Sequence, residues 1–191
     1  MLFCSPVSYP IHFENARYLI HGFRPVDLDC FSELSEQVFG ILSDDYTLRY
    51  IPSKRMESLE ETEAFLKGMV INFHTGKNLL HFIRDKDSDQ VVGMIDLISP
   101  DLAREHYKIS DYPFFVEFYL GSFASGCYLM TELLPVVVEQ LLAGGIGRIG
   151  AVVNRENIAA RKVLKKARFQ WKHAFDLEQD FYEVINGMIR L

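Results

Sequence analysis

Residues 121–127, with the sequence Gly-Ser-Phe-Ala-Ser-Gly-Cys, form the segment best suited to bind a charged ligand. Most of these side chains are small, which lets the backbone approach a ligand closely. The segment follows an apolar and aromatic run, residues 114–120, that predicts a buried strand. A predicted helix begins at Tyr128, directly after it. Because free backbone N–H groups and the helix dipole point into a loop of this kind, the sequence predicts a site for a phosphate or pyrophosphate group.

The helix after this loop is defined by apolar residues at helical spacing. These residues are Leu129, Leu133, Val136, Val137 and Leu141. Gly144 and Gly145 are expected to end the helix, and residues 149–153 predict a strand after it. Pro135 lies inside the helix, where it removes one backbone hydrogen bond and predicts a kink.

Glu117 is the sole charged residue in the run 114–120. One interpretation is an edge carboxylate that faces solvent or pairs with a nearby arginine. The other is a general base whose pKa is raised by apolar surroundings. On the residues of this run, both interpretations stay open.

Basic residues surround the last predicted helix, which follows Asn157. They are Arg155, Arg161, Lys162, Lys165 and Lys166. The cluster is either a solvated helix face or a set of contacts to the phosphates of a ligand. Asn157 is expected to cap the N-terminus of the helix.

Residues 85–90 match part of a calcium-binding loop. Aspartate occupies the first, third and fifth places, and Asp96 occupies the twelfth. However, Gln90 replaces the required glycine at the sixth place, and the flanking residues predict strands instead of helices. We therefore interpret this segment as a solvated turn and expect no metal site.

Residues 145–150 match the glycine pattern of dinucleotide-binding proteins, G-x-G-x-x-G. That pattern binds a dinucleotide when it follows a strand and opens a helix. Here it follows a predicted helix and opens a predicted strand, so NAD binding is rejected.

Length and composition indicate one soluble domain over residues 1–191. The hydrophobic fraction of 49% and the charged fraction of 24% are typical of a globular protein. The net charge of −6 argues against nucleic acid as a partner, since phosphate backbones bind to basic faces. Three scattered cysteines without a C-x-x-C motif predict neither disulfides nor a zinc site. No signal peptide or membrane-spanning run is recognisable, which predicts a cytoplasmic protein without a membrane partner.

The rest of the sequence supplies the elements that would position these groups. Residues 1–15 are expected to form an irregular lead-in, and residues 100–113 a polar excursion. Ser58 and Glu61 predict a capping box at the start of a helix. The other predicted elements are a helix over residues 28–39 and strands over residues 17–23, 79–84, 91–98, 171–175 and 181–185.

The sequence resembles the GNAT superfamily of acyl-CoA-dependent N-acyltransferases, and most closely its ribosomal-protein N-terminal acetyltransferase branch. That branch carries the pattern N-x-x-S-x-x-V-L-x-x-x-G-F, on which Asn157, Val163, Leu164 and Phe169 fall. It also opens its central helix with a phrase like M-T-E-A, matched by residues 130–132. The resemblance runs from residue 17 to the end. It implies an α/β fold: one mixed sheet of six to seven strands, helices on both faces, and a splay between the fourth and fifth strands.

The resemblance also implies a set of cofactor-binding residues for acetyl-CoA, without a metal. The backbone that would hold the thioester and pantetheine matches Phe118, Tyr119 and Leu120, and the backbone of the pyrophosphate loop matches Ser125, Gly126, Cys127, Tyr128 and Leu129. Asn157 would contact the cofactor as well as cap its helix, and Arg161 and Lys162 would contact phosphates. Many relatives carry a glutamate where this chain has Glu117, which favours the general base, acting through water.

Some residues differ from those that family members carry at the matching positions. Phe123 and Tyr128 occupy loop positions where Gln or Arg and a small residue are expected. Ala160 stands where the branch often has Ser, and Leu164, which matches the branch, stands where other GNAT enzymes have Tyr. No general acid is assigned: either another hydroxyl such as that of Tyr182 substitutes, or the thiolate leaves unassisted.

The function implied is transfer of an acetyl group from acetyl-CoA to a primary amine by direct attack, catalysed by a general base. The alternative is a GNAT-fold module that binds acyl-CoA without catalysis. The acceptor stays open among protein N-termini and small amines such as polyamines, antibiotics and amino acids. We expect a monomer or a homodimer.

Overall fold

The computed structural model describes residues 11–106 and 111–187, which form a single mixed sheet with helices on both faces. The strand order is β1-β2-β3-β4-β5-β6-β8-β7. The strands are β1 Phe13–Glu14, β2 Tyr18–His21, β3 Asn78–Asp85, β4 Gln90–Ile98, β5 Phe114–Leu120, β6 Arg148–Asn154, β7 Gln170–Ala174 and β8 Gln179–Ile185. Neighbouring strands are antiparallel except β5 and β6, which are parallel. The predicted fold class is confirmed, with eight strands in place of six to seven.

The described residues form seven helices: α1 Pro25–Asp29, α2 Phe31–Leu42, α3 Asp45–Leu48, α4 Leu59–Thr75, α5 Pro100–His106, α6 Leu129–Ala143 and α7 Ile158–Lys166, with short 3-10 turns at Pro52–Lys54 and Ser122–Ala124. Of these seven helices, α2 and α4 pack on one face of the sheet and α6 and α7 on the other. Helices α2 and α4 contribute to one core cluster, and α6 and α7 contribute to another. None of the described helices combines the length and the apolar character needed to cross a membrane.

Successive side chains of the central strands enter the two cores alternately. On β3, Leu80 and Phe82 pack with α2 and α4, whereas Leu79 and Ile83 belong to the core formed with α6 and α7. Because alternate residues of a strand point to opposite faces, both faces must be apolar when helices cover both. This explains why β3 is buried over its whole length.

The helix predicted over residues 28–39 is wrong as a single element. Pro25 begins a separate helix, α1, and Cys30 breaks the chain with φ −106° and ψ 38° before α2. The buried carboxylate of Asp27 accepts a bond from the Arg24 backbone N–H at 2.9 Å, and its other oxygen pairs with the Arg24 guanidinium at 2.8 Å. It also lies 3.4 Å from the guanidinium of Arg84 on β3. Interior ion pairing of Asp27, together with proline at the first helical position, makes α1 an independent turn.

Two segments predicted to be irregular contain regular structure. Within residues 1–15, Phe13 and Glu14 form β1, which pairs with β2. Within residues 100–113, residues 100–106 form α5, whose Ala103 is fully buried against Phe115 and Phe181. Residues 107–110 of the predicted excursion lie outside the described residues.

The helix N-cap at Ser58 is confirmed, but the capping box is incomplete. The Ser58 hydroxyl accepts a bond from the Glu61 backbone N–H at 3.1 Å. The Glu61 carboxylate accepts instead from the backbone N–H of Glu57 at 2.7 Å. In a complete capping box the Ser58 N–H would donate to the Glu61 carboxylate. Here the N–H of Glu57, the residue before the cap, makes that bond instead.

The two rejected motifs have the structural contexts predicted for them. Residues 145–150 follow α6 and open β6, and Gly145 takes φ +103° where the chain leaves the helix. In the hairpin between β3 and β4, Asp85 Oδ1 accepts bonds from the N–H groups of Asp87 and Ser88 at 3.0 and 3.1 Å. Among the described residues, no group of three or more His, Cys, Asp or Glu side chains lies together as a metal site would require. The kink at Pro135 stays a prediction.

Candidate active site

An opening separates β5 from β6 beyond their first two paired residues. The parallel pairing is limited to Phe114 with Ile149 and Phe115 with Gly150. A cavity of about 790 Å³ lies in this opening, bounded by β5, β6, the loop before α6 and the start of α7. The predicted splay is therefore present: the predicted fourth and fifth strands are β5 and β6, because β1 adds one strand before them.

Backbone groups of β5 face the opening. The Gly121 N–H donates to Val92 O of β4 at 3.1 Å, so this end of the strand is bonded to β4 through its odd-numbered residues. Because N–H groups alternate in direction along a strand, those of Phe118 and Leu120 point to the other edge, toward the opening. The carbonyl of Leu120 shares that direction, and it accepts a bond from the Thr47 hydroxyl at 2.8 Å. By the same alternation, the N–H of Tyr119 points to β4.

Ten of the twelve predicted site residues line the cavity. They are Glu117, Phe118, Tyr119, Leu120, Ser125, Gly126, Tyr128, Leu129, Asn157 and Lys162. Cys127 and Arg161 are not among the lining residues. Residues 30 to 40 positions apart in sequence thus meet at one opening, as the strand–loop–helix order predicts.

The loop before α6 presents an uncapped helix end to the cavity. Gly126 has φ +81° and Tyr128 has φ +56°, so the chain enters α6 through left-handed backbone. Among the described residues, no side chain caps the first turn of α6. The first N–H groups of a helix have no partner within the helix, and here they adjoin the cavity. A pyrophosphate group fits this arrangement.

The bulky residues of this loop do not fill the cavity. The Tyr128 side chain is part of the lining, yet the residue is 76% exposed and lies at the mouth. Phe123 is 63% exposed, and its ring lies next to Gly121. Because the Tyr128 residue is mostly exposed, a large side chain is accommodated at a position where relatives carry a small one.

The start of α7 is built as predicted, but its basic residues separate. Asn157 Oδ1 accepts from the Ala160 N–H at 3.0 Å and caps the helix. The Lys162 side chain lines the cavity. Arg161 instead donates from Nε to Tyr182 Oη at 3.1 Å and from Nη1 to Arg155 O at 3.1 Å. These bonds hold Arg161 against the protein, and Tyr182 is not among the cavity-lining residues either.

Glu117 lies at the cavity wall with two polar partners. Its Oε2 accepts from Lys54 Nζ at 2.8 Å and from Tyr119 Oη at 2.5 Å. The side chain is 24% exposed. The expected apolar surroundings are therefore wrong: an ammonium group and a hydroxyl contact the carboxylate. The ion pair with Lys54 could not be predicted from the residues around Glu117, because Lys54 lies in a 3-10 turn far away in the sequence.

Another part of the cavity lining consists of residues from α3 and the turns after it, here called the α3 wall. It comprises Tyr46, Thr47, Arg49, Tyr50, Ile51, Ser53 and Lys54. Tyr50 Oη donates to Glu156 O at 3.2 Å, which connects this wall to the loop before α7. The Arg49 guanidinium lies 5.2 Å from the centre of the Tyr50 ring. None of these side chains was among the predicted site residues.

A second carboxyl group lies behind Glu117. Asp96 of β4 is directly opposite Glu117 in the strand register and is 3% exposed. Burial raises the pKa of Asp96 to about 7; the negative charge of Glu117 adds to the rise, and the Lys54 ammonium opposes it. Asp96 was not among the predicted site residues. The signal was the same as for Glu117, a single charge within the apolar run 91–98.

Comparison with known proteins decides the family. The profile of the acetyltransferase (GNAT) domain matches residues 22–170, which is most of the chain. The protein belongs to the GNAT acetyltransferase family. It is therefore an acetyltransferase, and the resemblance drawn from its motifs is confirmed.

Relatives of this GNAT protein act on more than one kind of amine. An uncharacterised N-acetyltransferase of Bacillus subtilis, YoaA, is 28% identical over 138 residues, which cover 71% of this chain and 73% of the relative. The ribosomal-protein-S5-alanine acetyltransferase of Vibrio fischeri superposes with a TM-score of 0.68 at 16% identity, covering 95% of this chain and 100% of the other. The spermidine N-acetyltransferase of Vibrio cholerae, solved with CoA and spermine, superposes with a TM-score of 0.65 at 13% identity, covering 90% and 97%.

Proposed function

We propose that this GNAT protein transfers the acetyl group of acetyl-CoA directly to a primary amine, with Glu117 as the general base. The observation that carries the proposal is the position of Glu117 at the cavity wall, on the same strand as the Phe118 and Leu120 amides that point into the opening. A carbonyl oxygen held by those amides would be polarised next to the group that accepts the amine proton.

Each part of the reaction has a candidate group in this chain except one. The acetyl donor supplies a thioester whose C–S bond breaks as the amine nitrogen bonds to the carbonyl carbon. The amine loses one proton, which Glu117 accepts directly or through a water molecule, and the sulfur departs as a thiolate that takes a proton from solvent. Ala160 and Leu164 carry no hydroxyl, and Tyr182 is engaged with Arg161 away from the cavity lining. We therefore assign no general acid, since a thiol with a pKa of about 8.5 can leave as the thiolate.

The donor-binding part of the proposal uses the residues that reach the cavity. The uncapped first turn of α6 and the loop backbone around Gly126 fit the pyrophosphate, and Lys162 supplies a nearby cation. Asn157 and Ser125 line the same cavity. Cys127 and Arg161 would take part only if the loop or the Arg161 side chain moved.

The charges of the cavity favour an acceptor that is not a polycation. Apart from Lys162, which is assigned to the donor phosphates, the lining contains the cations Arg49 and Lys54 and the acids Glu117 and Glu156. Glu117 is already paired with Lys54. The additional ammonium groups of a polyamine would meet cations at this site, whereas an amine next to a neutral or anionic group would not. We infer a peptide N-terminus or a small amine bearing a carboxylate.

A screen of amine acceptors tests this function. Peptides, amino acids and polyamines are mixed with acetyl-CoA, and release of free thiol is followed. We expect turnover with members of the first two classes and little with polyamines. Preferred acetylation of spermidine would contradict the acceptor class, and failure of every primary amine would contradict the transfer reaction.

Ligand-induced stabilisation tests the donor. CoA or acetyl-CoA at ~100 times its dissociation constant should raise the free energy of unfolding by roughly 2.7 kcal/mol, and NAD should not. Stabilisation by NAD without any by CoA would reverse the assignment. The expected cytoplasmic location and the monomeric or dimeric state stay predictions.

A further inference from the structure

Asp96 and Glu117 occupy opposite positions on neighbouring antiparallel strands. β4 and β5 pair Asp96 with Glu117 and, one step further on the same face, Met94 with Tyr119. Side chains at opposite positions share a face of the sheet, with Cβ atoms roughly 4.5–5.5 Å apart. Asp96 is 3% exposed, while Glu117 reaches the cavity. Two ionised carboxylates this close, one of them buried, would repel each other strongly.

Within the described part of the chain, one of the two carboxyl oxygens of Asp96 lacks a hydrogen-bond donor. Asn78 Nδ2 donates to Asp96 Oδ2 at 2.8 Å. Asp96 Oδ1 and Asn78 Oδ1 are buried oxygens with no partner among the described residues. A buried, charged oxygen without a donor is costly, and a proton on Asp96 makes this group neutral and lowers that cost.

Apolar side chains, one amide, one carboxylate and one ammonium group surround Asp96. β3 presents Asn78 and Leu80, and α4 presents Met69, whose sulfur lies 3.9 Å from Asn78 Nδ2. Helix α2 contributes apolar side chains to the same core cluster. The charged groups that act on Asp96 are Glu117 from β5 and Lys54 from the 3-10 turn. With one proton on the two carboxyl groups, their single negative charge is balanced by the Lys54 ammonium.

We propose that Asp96 is a positioning residue that acts through Glu117: the two form a carboxyl pair that holds one proton until Asp96 ionises, and the charge of ionised Asp96 strengthens Glu117 as the base that accepts the amine proton. This inference rests on the proposed role of Glu117 as the base. Glu117 is the ionised member because it contacts Lys54 and the cavity, and Asp96 is the protonated member because it is buried. When Asp96 also ionises at higher pH, its charge makes Glu117 a stronger base, because the effect of each carboxylate on the other is reciprocal.

Coupling between the two groups is measured without any turnover. The carboxyl carbons of 13C-labelled aspartate are titrated by NMR, and the Asp96 signal is identified by its absence in Asp96→Asn. We expect a titration near neutral pH in the wild type. Glu117→Gln, which removes a negative charge, should move it to lower pH, and Lys54→Met, which removes a positive charge, should move it to higher pH. An Asp96 signal that titrates like an exposed aspartate, or that ignores both substitutions, would overturn the pair.

The effect on the reaction is tested by Asp96→Asn, which fixes the buried group in a neutral form. At alkaline pH we expect kcat/KM to fall roughly threefold to tenfold, the effect of about one unit of lost basicity, against 10²-fold or more for Glu117→Gln. The ratio of wild-type to Asp96→Asn activity should rise through the pH at which the Asp96 signal titrates. The exposed Asp87→Asn serves as the matched control and should leave the ratio flat.

The outcomes separate this inference from the proposed function. If Glu117→Gln shifts the Asp96 titration while Asp96→Asn has a pH profile parallel to that of the wild type, the carboxyl pair exists without acting on the reaction, and the inference is wrong. If Glu117→Gln retains full activity, the base assignment itself is wrong. The NMR titration measures the coupling between Asp96 and Glu117 even when no acceptor is known.

Discussion

Lys54 and Glu117 form an ion pair of 2.8 Å that joins the α3 wall to the strand carrying the proposed base. Both side chains are partly exposed, at 40% and 24%. Exposed pairs of this kind contribute about 1 kcal/mol or less to stability. The contact is therefore better explained by its effect on the charge of Glu117 than by any contribution to the fold.

Replacing Lys54 should change the pH profile more than the stability. In Lys54→Met, Glu117 loses the cation that favours its ionised form, so the acidic limb of kcat/KM should move to higher pH. The free energy of unfolding should change by less than about 1 kcal/mol in a urea titration. Lys67→Met removes a comparable pair, Lys67 with Glu63 on the surface of α4, and should leave the pH profile unchanged. A Lys54→Met profile that superimposes on the wild-type curve would refute the electrostatic role.

Two glycines with positive φ allow backbone strain to be separated from ligand binding. Gly126 at +81° lines the cavity, and Gly145 at +103° ends α6 away from it. A Cβ at either position meets open space, so alanine introduces only the strain of left-handed backbone, roughly 1–2 kcal/mol. Both variants should lose a similar amount of stability by urea denaturation.

Only the Gly126 variants should weaken CoA binding, as measured by calorimetry. Gly126→Asp should abolish it, because a carboxylate would face the pyrophosphate. Equal CoA affinities for Gly126→Ala, Gly126→Asp and Gly145→Ala would place the pyrophosphate elsewhere.

Lys162 and Arg161 are adjacent in sequence and differ in their contacts. Lys162 lines the cavity, whereas Arg161 is bonded to Tyr182 and to the Arg155 carbonyl. Lys162→Ala should weaken CoA more than dephospho-CoA, which lacks the 3′-phosphate. Arg161→Ala should lower the free energy of unfolding by about 1 kcal/mol, because its hydrogen bonds are lost. Any change in affinity should be the same for CoA and dephospho-CoA. The reverse pattern, selective loss in Arg161→Ala, would assign the 3′-phosphate to Arg161, as the sequence also allowed.

The buried Asp96 should make stability fall as pH rises from about 4 to about 7. Burial raises the pKa of Asp96 from 3.8 to about 7, so in this window the folded protein keeps a proton that the unfolded chain has lost. The free energy of unfolding of the wild type should therefore fall relative to that of Asp96→Asn by up to about 1.4 kcal/mol per pH unit. Above about pH 7 the difference between the two proteins should be constant. Urea unfolding of both proteins from pH 4 to about pH 8 checks it. A difference independent of pH would show that Asp96 ionises normally.

His81 should act with the opposite sign over an overlapping range. Burial lowers the pKa of His81 from 6.5 to about 4, and its Nε2 accepts the Ile11 N–H at 3.1 Å. The unfolded chain therefore binds a proton that the folded protein refuses, and stability is lost as pH falls from about 6.5 to about 4. In His81→Gln this contribution should be absent, so its stability should depend less on pH in acid. An unchanged acid dependence would contradict the neutral, buried histidine.

The sequence predicts the site where contacts are local and misses it where contacts are distant. The order of β5, loop and α6 follows from apolar runs and small residues that are adjacent in the chain, and Asn157 caps α7 through a residue three positions away. Lys54 reaches Glu117 from a 3-10 turn about sixty positions earlier, and no periodic pattern marks such a turn. The direction of the Arg161 side chain depends on its hydrogen bond to Tyr182 of β8. The spacing of the basic residues in α7 gives no information about that contact.

Fold-level errors have a similar cause. The break at Cys30 depends on Asp27, which is buried beside Arg84 of β3, a contact that helical spacing cannot reveal. Asp96 was visible as a lone charge in an apolar run, but its importance depends on the strand register that places it opposite Glu117. Register is a property of the assembled sheet.

Glu117→Gln shows whether this carboxylate is the general base of the reaction. Glutamine keeps the size and the hydrogen-bonding capacity of the side chain and removes its ability to accept a proton. With an acceptor identified in the amine screen, we expect this variant to bind acetyl-CoA about as tightly as the wild type and to turn over about 10²-fold or more slower. The deficit should shrink at high pH, where more of the amine is already deprotonated.

Single-turnover rates with matched CoA affinities, measured beside Glu139→Gln on the exposed surface of α6, give the decisive comparison. The account predicts a slow Glu117→Gln, a normal Glu139→Gln and equal acetyl-CoA affinities for both. A Glu117→Gln enzyme that acetylates the verified acceptor at the wild-type rate would show that Glu117 is not the base.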